Sequence, residues 1–216
     1  MNEHDYVINC KEVNEGYLVG LSIREIVNWA INKVMGNESA LVIMGETGSG
    51  KTTALLLIMN KLRELGIPTA YMNAYNELGL RTIKMINCRN DSNARVLLVD
   101  DIDAVFTMPK MAQGLINKVI SFKGTVIASL TIPLLIGNEL ETLEPLIKFL
   151  RSASRMTIKY RDDEIKAFAK RIGITSMEPT MRTPGMIIRN FKRWSGGDGN
   201  SVVDKVLSDR GNNVVL

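Results

Sequence analysis

The segment Gly45-Glu-Thr-Gly-Ser-Gly-Lys-Thr52 constrains the fold of this chain more than any other. It fits the pattern G-x-x-x-x-G-K-[ST] at every position. A short apolar run at 39–44 precedes it and suits a buried parallel strand. Residues 52–65 follow it and read as a helix stopped by Gly66 and Pro68. A plain glycine-rich turn would need neither neighbour. Glycines let the backbone curl until several N–H groups face one phosphate, with no Cβ in the way. The helix adds the positive end of its dipole. Lys51 supplies a charge for the β- and γ-phosphates, and the Thr52 hydroxyl suits a Mg²⁺ ligand.

A second constellation lies 49 positions after Lys51, where the apolar run Val96-Leu-Leu-Val99 ends in Asp100-Asp101. An acid at the carboxyl edge of a parallel strand stands where open α/β sheets bind ligands. Asp100 there would join the Mg²⁺ shell, directly or through water. Asp101 would orient or deprotonate the attacking water. The alternative is that both acids cap the following loop, which also carries Asp103.

The rest of the chain alternates in the same way. Strands are expected at 39–44, 69–72, 95–99, 124–129 and 156–160, and helices at 23–35, 52–65, 77–86, 110–120 and 140–150. That order predicts an α/β fold, a three-layer core with a five-stranded, mostly parallel sheet. After Tyr160 no strand is evident, and 162–172 and 184–194 read as helices. The expected division is a core over 1–160, with an extension over about 1–18, and a small helical lid with a flexible tail over 161–216.

Composition narrows the function classes. Among 216 residues, 45% are hydrophobic and 23% charged, which suits a globular core. The two cysteines, Cys10 and Cys88, look isolated, so no disulfide is expected and a reducing, cytoplasmic setting is the simplest reading. His4 is the one histidine, which argues against Ser-His-Asp hydrolysis. The apolar run 54–59 is too short to cross a bilayer, so no membrane partner is expected. From Arg151 onward the net charge is +6, against −2 before it. That excess is either a solvated face or a contact for nucleic acid or phosphate. Trp29 and Trp194 read as packing residues rather than stacking platforms.

Together these segments resemble the AAA+ ATPases, most closely the branch of the bacterial replication initiator and the IstB/DnaC-type helicase loaders. The similarity rests on Gly45 to Thr52 and on Leu97-Leu-Val-Asp-Asp-Ile102. It extends to Lys123-Gly-Thr-Val-Ile-Ala-Ser129, to Phe149-Leu-Arg-Ser-Ala-Ser-Arg155 with Ile158-Lys-Tyr, and to Thr183-Pro-Gly-Met-Ile-Ile-Arg189. It spans about Val19 to Arg193. The resemblance implies a nucleotide set of Gly45, Glu46, Thr47, Gly48, Ser49, Gly50, Lys51, Thr52 and Thr53, with sensor 2 at Arg189. It implies Mg²⁺ at Thr52 and Asp100, and sensor 1 at Ser129 or Thr131. It implies an arginine finger, Arg151 or Arg155, reaching into the next subunit of an ATP-dependent oligomer. After the metal-binding Asp the family usually has Glu, or Asp in the initiator branch, and Asp101 fits only the second pattern; the chain departs from the family in having no Asn at sensor 1.

The implied function is an ATPase acting on nucleic acid or on a helicase or other replication partner. The short tail leaves little room for a separate duplex reader. Contact with single- or double-stranded DNA would then run through basic loops, with Arg81, Lys84, Arg89, Lys110, Lys118, Lys192 and Arg193 as candidates. Two alternatives stay open: a DNA-packaging or secretion motor, and a weakly hydrolysing nucleotide switch or adaptor.

Overall fold

The computed structural model describes residues 6–13, 21–80, 84–131, 143–171, 173–174 and 181–188. Its centre is a sheet of β2 (Ala40–Gly45), β3 (Thr69–Asn73), β5 (Val96–Asp100), β6 (Thr125–Thr131) and β7 (Ser154–Thr157). The order is β3-β5-β6-β2-β7, and every pairing is parallel. Helices α1 (Leu21–Met35) and α2 (Lys51–Glu64) cover one face. Helices α4 (Gln113–Ile120) and α5 (Glu144–Ser152), with a 3-10 turn at Ile102–Phe106, cover the other. The chain is thus a three-layer α/β protein.

The runs that form the sheet are apolar on both sides because both faces are covered. In α2, Leu55, Leu56, Ile58 and Met59 are each at most 1% exposed. Full burial of one such side chain contributes about 1.5–3 kcal/mol, so this helix is fixed against the sheet along its length. Its position fixes the loop that precedes it. Beyond β7, α6 (Asp162–Arg171) and a helical turn at 184–188 share a separate apolar cluster around Phe168 and Ile187.

The expected helix over 77–86 is not formed. A short helix α3 (Ala74–Glu77) ends there, and β4 (Lys84–Asn87) is a strand. Gly79 causes the break. It takes φ 70, and the Leu80 and Gly79 N–H groups return to Tyr75 and Asn76 carbonyls, which closes the helix end. Smaller shifts occur elsewhere: α4 starts at Gln113 rather than 110, and β7 runs over Ser154–Thr157 rather than 156–160. The rest of the expected helix at 184–194, beyond residue 188, lies outside the described residues, as does His4.

The isolated cysteines are also a correction. Strand β1 (Tyr6–Asn9) pairs in parallel with β4, and the register ends at Asn9 opposite Asn87. One step further, Cys10 and Cys88 stand opposite each other as a disulfide, with Cα atoms 5.2 Å apart. The pairing could not be read from two cysteines separated by 78 residues. The described part of the N-terminal extension is therefore built onto the core. Cys10 and Val13 are buried, and Asn60 of α2 donates to both their carbonyls at 2.7 Å.

Candidate functional site

The glycine loop joins β2 to α2 at the carboxyl edge of the sheet. Gly48 and Gly50 have φ 78 and 91, which an L side chain rarely adopts. Gly50 sits at the N-cap position of α2 with no side-chain cap, and the first turn carries no acid. The first N–H groups of a helix have no partner within the helix. An uncapped start of this kind favours an anion. Lys51 is 6% exposed, and its Nζ donates to the carbonyls of Gly45 and Glu46, each at 3.1 Å. The lysine therefore lies over its own loop. The Ser49 Oγ is buried without a hydrogen-bond partner among the described residues. Such an atom is costly to leave unsatisfied, and an oxyanion in the loop is the kind of group that would accept from it. Thr52 and Thr53 are half-buried, and Glu46, Thr47 and Gly48 are exposed.

The acids come from β5. Asp100 is fully buried, and each of its oxygens accepts from a hydroxyl: Oδ1 from Ser129 Oγ at 2.6 Å and Oδ2 from Tyr71 Oη at 2.9 Å. The pair Asn73–Asp100 in the β3–β5 register brings Tyr71 and Asp100 to one face, since Tyr71 and Asn73 are two residues apart. Ser129 also accepts from the Asp101 backbone N–H at 2.8 Å. Asp101 is left-handed at φ 53, and its Oδ2 accepts from Asn73 Nδ2 at 3.1 Å. Burial pushes the Asp101 carboxyl up to about 6, with the Asp100 and Asp103 charges adding to it. Asn73 and Lys51 pull the other way, so Lys51 and Asp101 feel each other's charge. Burial, and then the Asp100 charge, raises the Tyr71 hydroxyl above its ordinary value, so it stays a donor. Asp103 Oδ1 accepts from the Thr131 N–H at 3.1 Å, which closes the loop after β5 onto the end of β6.

No protein-family model matches the chain, and no curated protein is similar to it. Solved structures are similar in shape. The AMPPCP-bound DnaA of Aquifex aeolicus superposes with a TM-score of 0.55 at 16% identity, over 92% of this chain and 71% of that one. Domain III of DnaA from Thermotoga maritima gives 0.53 at 15% identity, over 90% of this chain and 95% of that one. A DnaA bound to AMPPCP and single-stranded DNA gives 0.50 at 12% identity, over 94% and 67%. The chain shares the fold of these DnaA structures.

Within this fold, other candidates are brought to different places. Thr131 is half-buried and pairs in register with Gly45, so the end of β6 stands beside the start of the glycine loop. Arg151 and Arg155 are exposed on the far side of β2, at the end of α5 and on the edge strand β7. Arg155 donates to the Arg151 carbonyl at 2.6 Å. Arg189 lies outside the described residues, as do Arg81, Lys192, Arg193 and Trp194. Lys84 lies on β4, Arg89 and Lys110 are exposed, and Lys118 pairs with Glu77 at 3.3 Å. Trp29 packs partly buried against the α1–α2 core.

Sequence reading missed Tyr71, Asn73, Tyr160, Thr183 and Gly185 as parts of the site. Only the alternation of strand faces could have pointed to Tyr71 and Asn73. No cluster of three or more His, Cys, Asp or Glu side chains suited to a metal is present among the described residues. The Thr52 hydroxyl and the Asp100 carboxylate are oxygen donors of the kind Mg²⁺ takes when phosphates and waters complete its shell. No helix among the described residues is long and apolar enough to cross a membrane.

Proposed function

We propose that this chain is an AAA+ ATPase of the initiator or helicase-loader kind. It binds ATP with Mg²⁺, assembles head to tail with copies of itself, and acts on nucleic acid or a replication partner. The observation that carries the reading is buried Lys51 at the uncapped start of α2, within electrostatic reach of Asp101. A phosphate cradle and an acid pair at one sheet edge serve phosphoryl transfer to water.

In this reading Gly45 to Thr53 hold the nucleotide, and Thr52 and Asp100 hold the metal. Bound Mg²⁺ supplies neutralising charge at the β- and γ-phosphates. Asp101 orients a water for attack on the γ-phosphorus and takes its proton as the bond to the β–γ bridging oxygen breaks. A carboxyl pushed up to about 6 is a stronger base than an ordinary aspartate. Ser129 acts through Asp100 and Asp101, because its hydroxyl is already shared between them. Thr131 takes the sensor 1 role in its place. Arg151 or Arg155 completes the neighbouring subunit's site, for which exposure at the surface is a requirement, and both are exposed. Residues 1–160 are the core and 161–216 the lid, with Arg189 reaching the phosphates.

The test is phosphate release measured with and without single-stranded DNA, together with mass in solution with and without ATP. Release that rises with DNA and an ATP-dependent oligomer support the reading. A chain that binds no ATP overturns it. The switch reading stays alive on one observation: the Ser129 hydroxyl is spent on Asp100 and Asp101. Saturable ATP binding without phosphate release, even in the oligomer, would select it.

A further inference from the structure

Three consecutive carbonyls of the glycine loop are held by the part of the chain that follows the sheet. Thr47 O accepts from Thr183 Oγ1 at 3.3 Å, Gly48 O from the Gly185 N–H at 3.0 Å, and Ser49 O from Tyr160 Oη at 2.7 Å. Burial raises the Tyr160 hydroxyl above its ordinary value, so it remains a donor. In a trans peptide the C=O and N–H of one plane point in opposite directions. Holding these carbonyls toward the C-terminal segment therefore turns the N–H groups of Gly48, Ser49 and Gly50 to the other side of the loop. The Ser49 N–H closes a turn on Glu46 O at 3.1 Å. Those of Gly48 and Gly50 are set up for an anion.

The donors arrive on a packed unit. Met181, Thr183 and Ile187 are buried with Ile165 and Phe168 of α6. Glu164 of α6 in turn accepts from the Ser22 N–H at 3.1 Å and from Ser22 Oγ at 2.9 Å. It supplies the acid that the first turn of α1 lacks. The approach to the loop needs two glycines. A Cβ on Gly48 would stand 2.9 Å from Gly185 Cα, and one on Gly185 would stand 2.6 Å from Gly48 Cα. Backbone faces backbone at that contact, so neither side can yield as a flexible side chain would.

We infer that Tyr160, Thr183 and Gly185 are positioning residues of the phosphate cradle, so that docking of the C-terminal segment and affinity for phosphate are one coupled equilibrium. The inference rests on the proposed nucleotide reading. Coupling of this kind is reciprocal: what tightens the segment tightens the anion, and the reverse.

The experiment titrates the full chain with mant-ATP and with tripolyphosphate as competitor, for wild type, Tyr160→Phe, Thr183→Val, Thr183→Ser and Gly185→Ala. Tyr160→Phe removes the hydrogen bond to Ser49 O, and Thr183→Val removes that to Thr47 O together with the one Thr183 accepts from the Met186 N–H; each variant should weaken both ligands by the same factor, roughly fivefold or more. Thr183→Ser keeps the hydroxyl and should bind as wild type does. Gly185→Ala forces the segment off the loop and should show the largest loss. Adenosine affinity should stay unchanged in all four, which a general loss of structure would not allow. If wild type binds mant-ATP and Tyr160→Phe and Thr183→Val bind tripolyphosphate as tightly, the inference is overturned and the nucleotide reading stands. Loss of adenosine together with tripolyphosphate overturns it too. If wild type itself binds no mant-ATP, the nucleotide reading fails first. Should Gly185→Ala fail to fold, the two hydroxyl variants decide.

Discussion

The loop half of the site comes from one stretch of chain, and the acid half is assembled from three strands. Gly45 to Thr52 brings its own glycines, its lysine and the helix that follows, and the C-terminal segment only holds its carbonyls. Asp100 and Asp101 depend on Tyr71 and Asn73 from β3 and on Ser129 from β6. The acid half works only when the sheet is in register. Damage to the loop should therefore cost binding, and damage to the acid half should cost turnover.

The largest effect belongs to the loop. Lys51→Ala removes the buried ammonium and should lower ATP affinity by roughly a hundredfold or more, since charge-assisted hydrogen bonds to phosphate are the strong ones. Calorimetric titration checks it. Affinity within a few-fold of wild type would mean that the loop is not the binding half. Next comes Asp101→Asn, which should keep ATP binding and lower phosphate release by roughly a hundredfold, the size of a general base. In the wild type, release should rise with pH around a midpoint near 6, as the Asp101 carboxyl loses its proton. The variant should show no such rise.

The same carboxyl predicts a change in stability of defined sign. Its folded value, about 6, lies above its unfolded value of 3.8. The folded state then holds more protons than the unfolded state between those limits, so stability falls as pH rises through that window. At neutral pH the ionised Asp101 costs up to about 3 kcal/mol. Denaturant unfolding at pH 4 and pH 7 should show that Asp101→Asn is more stable than wild type at pH 7 and loses the slope. A steeper slope in the variant would place the burden on Asp100 or Asp103 instead.

The division also explains what was legible. The glycine loop, α2 and all five strands of the main sheet follow from local patterns, because residues two or four apart decide which side is buried. Asp100 at a strand end was legible for the same reason. Its hydroxyl partners were not, since Tyr71 and Ser129 each lie 29 positions from Asp100, and only register joins them. The β1–β4 pair and the Cys10–Cys88 bridge failed in the same way. The helix expected over 77–86 failed because the apolar spacing was allowed to outweigh Gly79, whose left-handed backbone stops α3. The three donors to the loop carbonyls come from residues 160–185; the motif at 183–189 pointed this segment toward the nucleotide through Arg189, but not Tyr160, Thr183 or Gly185 toward the loop's own carbonyls.

The smallest effects test whether the acid half is one unit. Tyr71→Phe and Ser129→Ala each leave one oxygen of a fully buried carboxylate without its hydroxyl. Each should cost about 1–3 kcal/mol of stability and slow phosphate release, with ATP affinity held within about twofold, because neither the loop nor the residues that hold its carbonyls are touched. Ser129→Ala should cost more, since it also frees the Asp101 N–H at 2.8 Å. The double variant should cost less than the sum of the singles, because both hydroxyls serve the same carboxylate and sites sharing a partner do not add. Strict additivity, read from denaturant unfolding of all three, would mean that the two strands hold Asp100 independently. The contrast between a local cradle and a jointly built acid pair would then be lost.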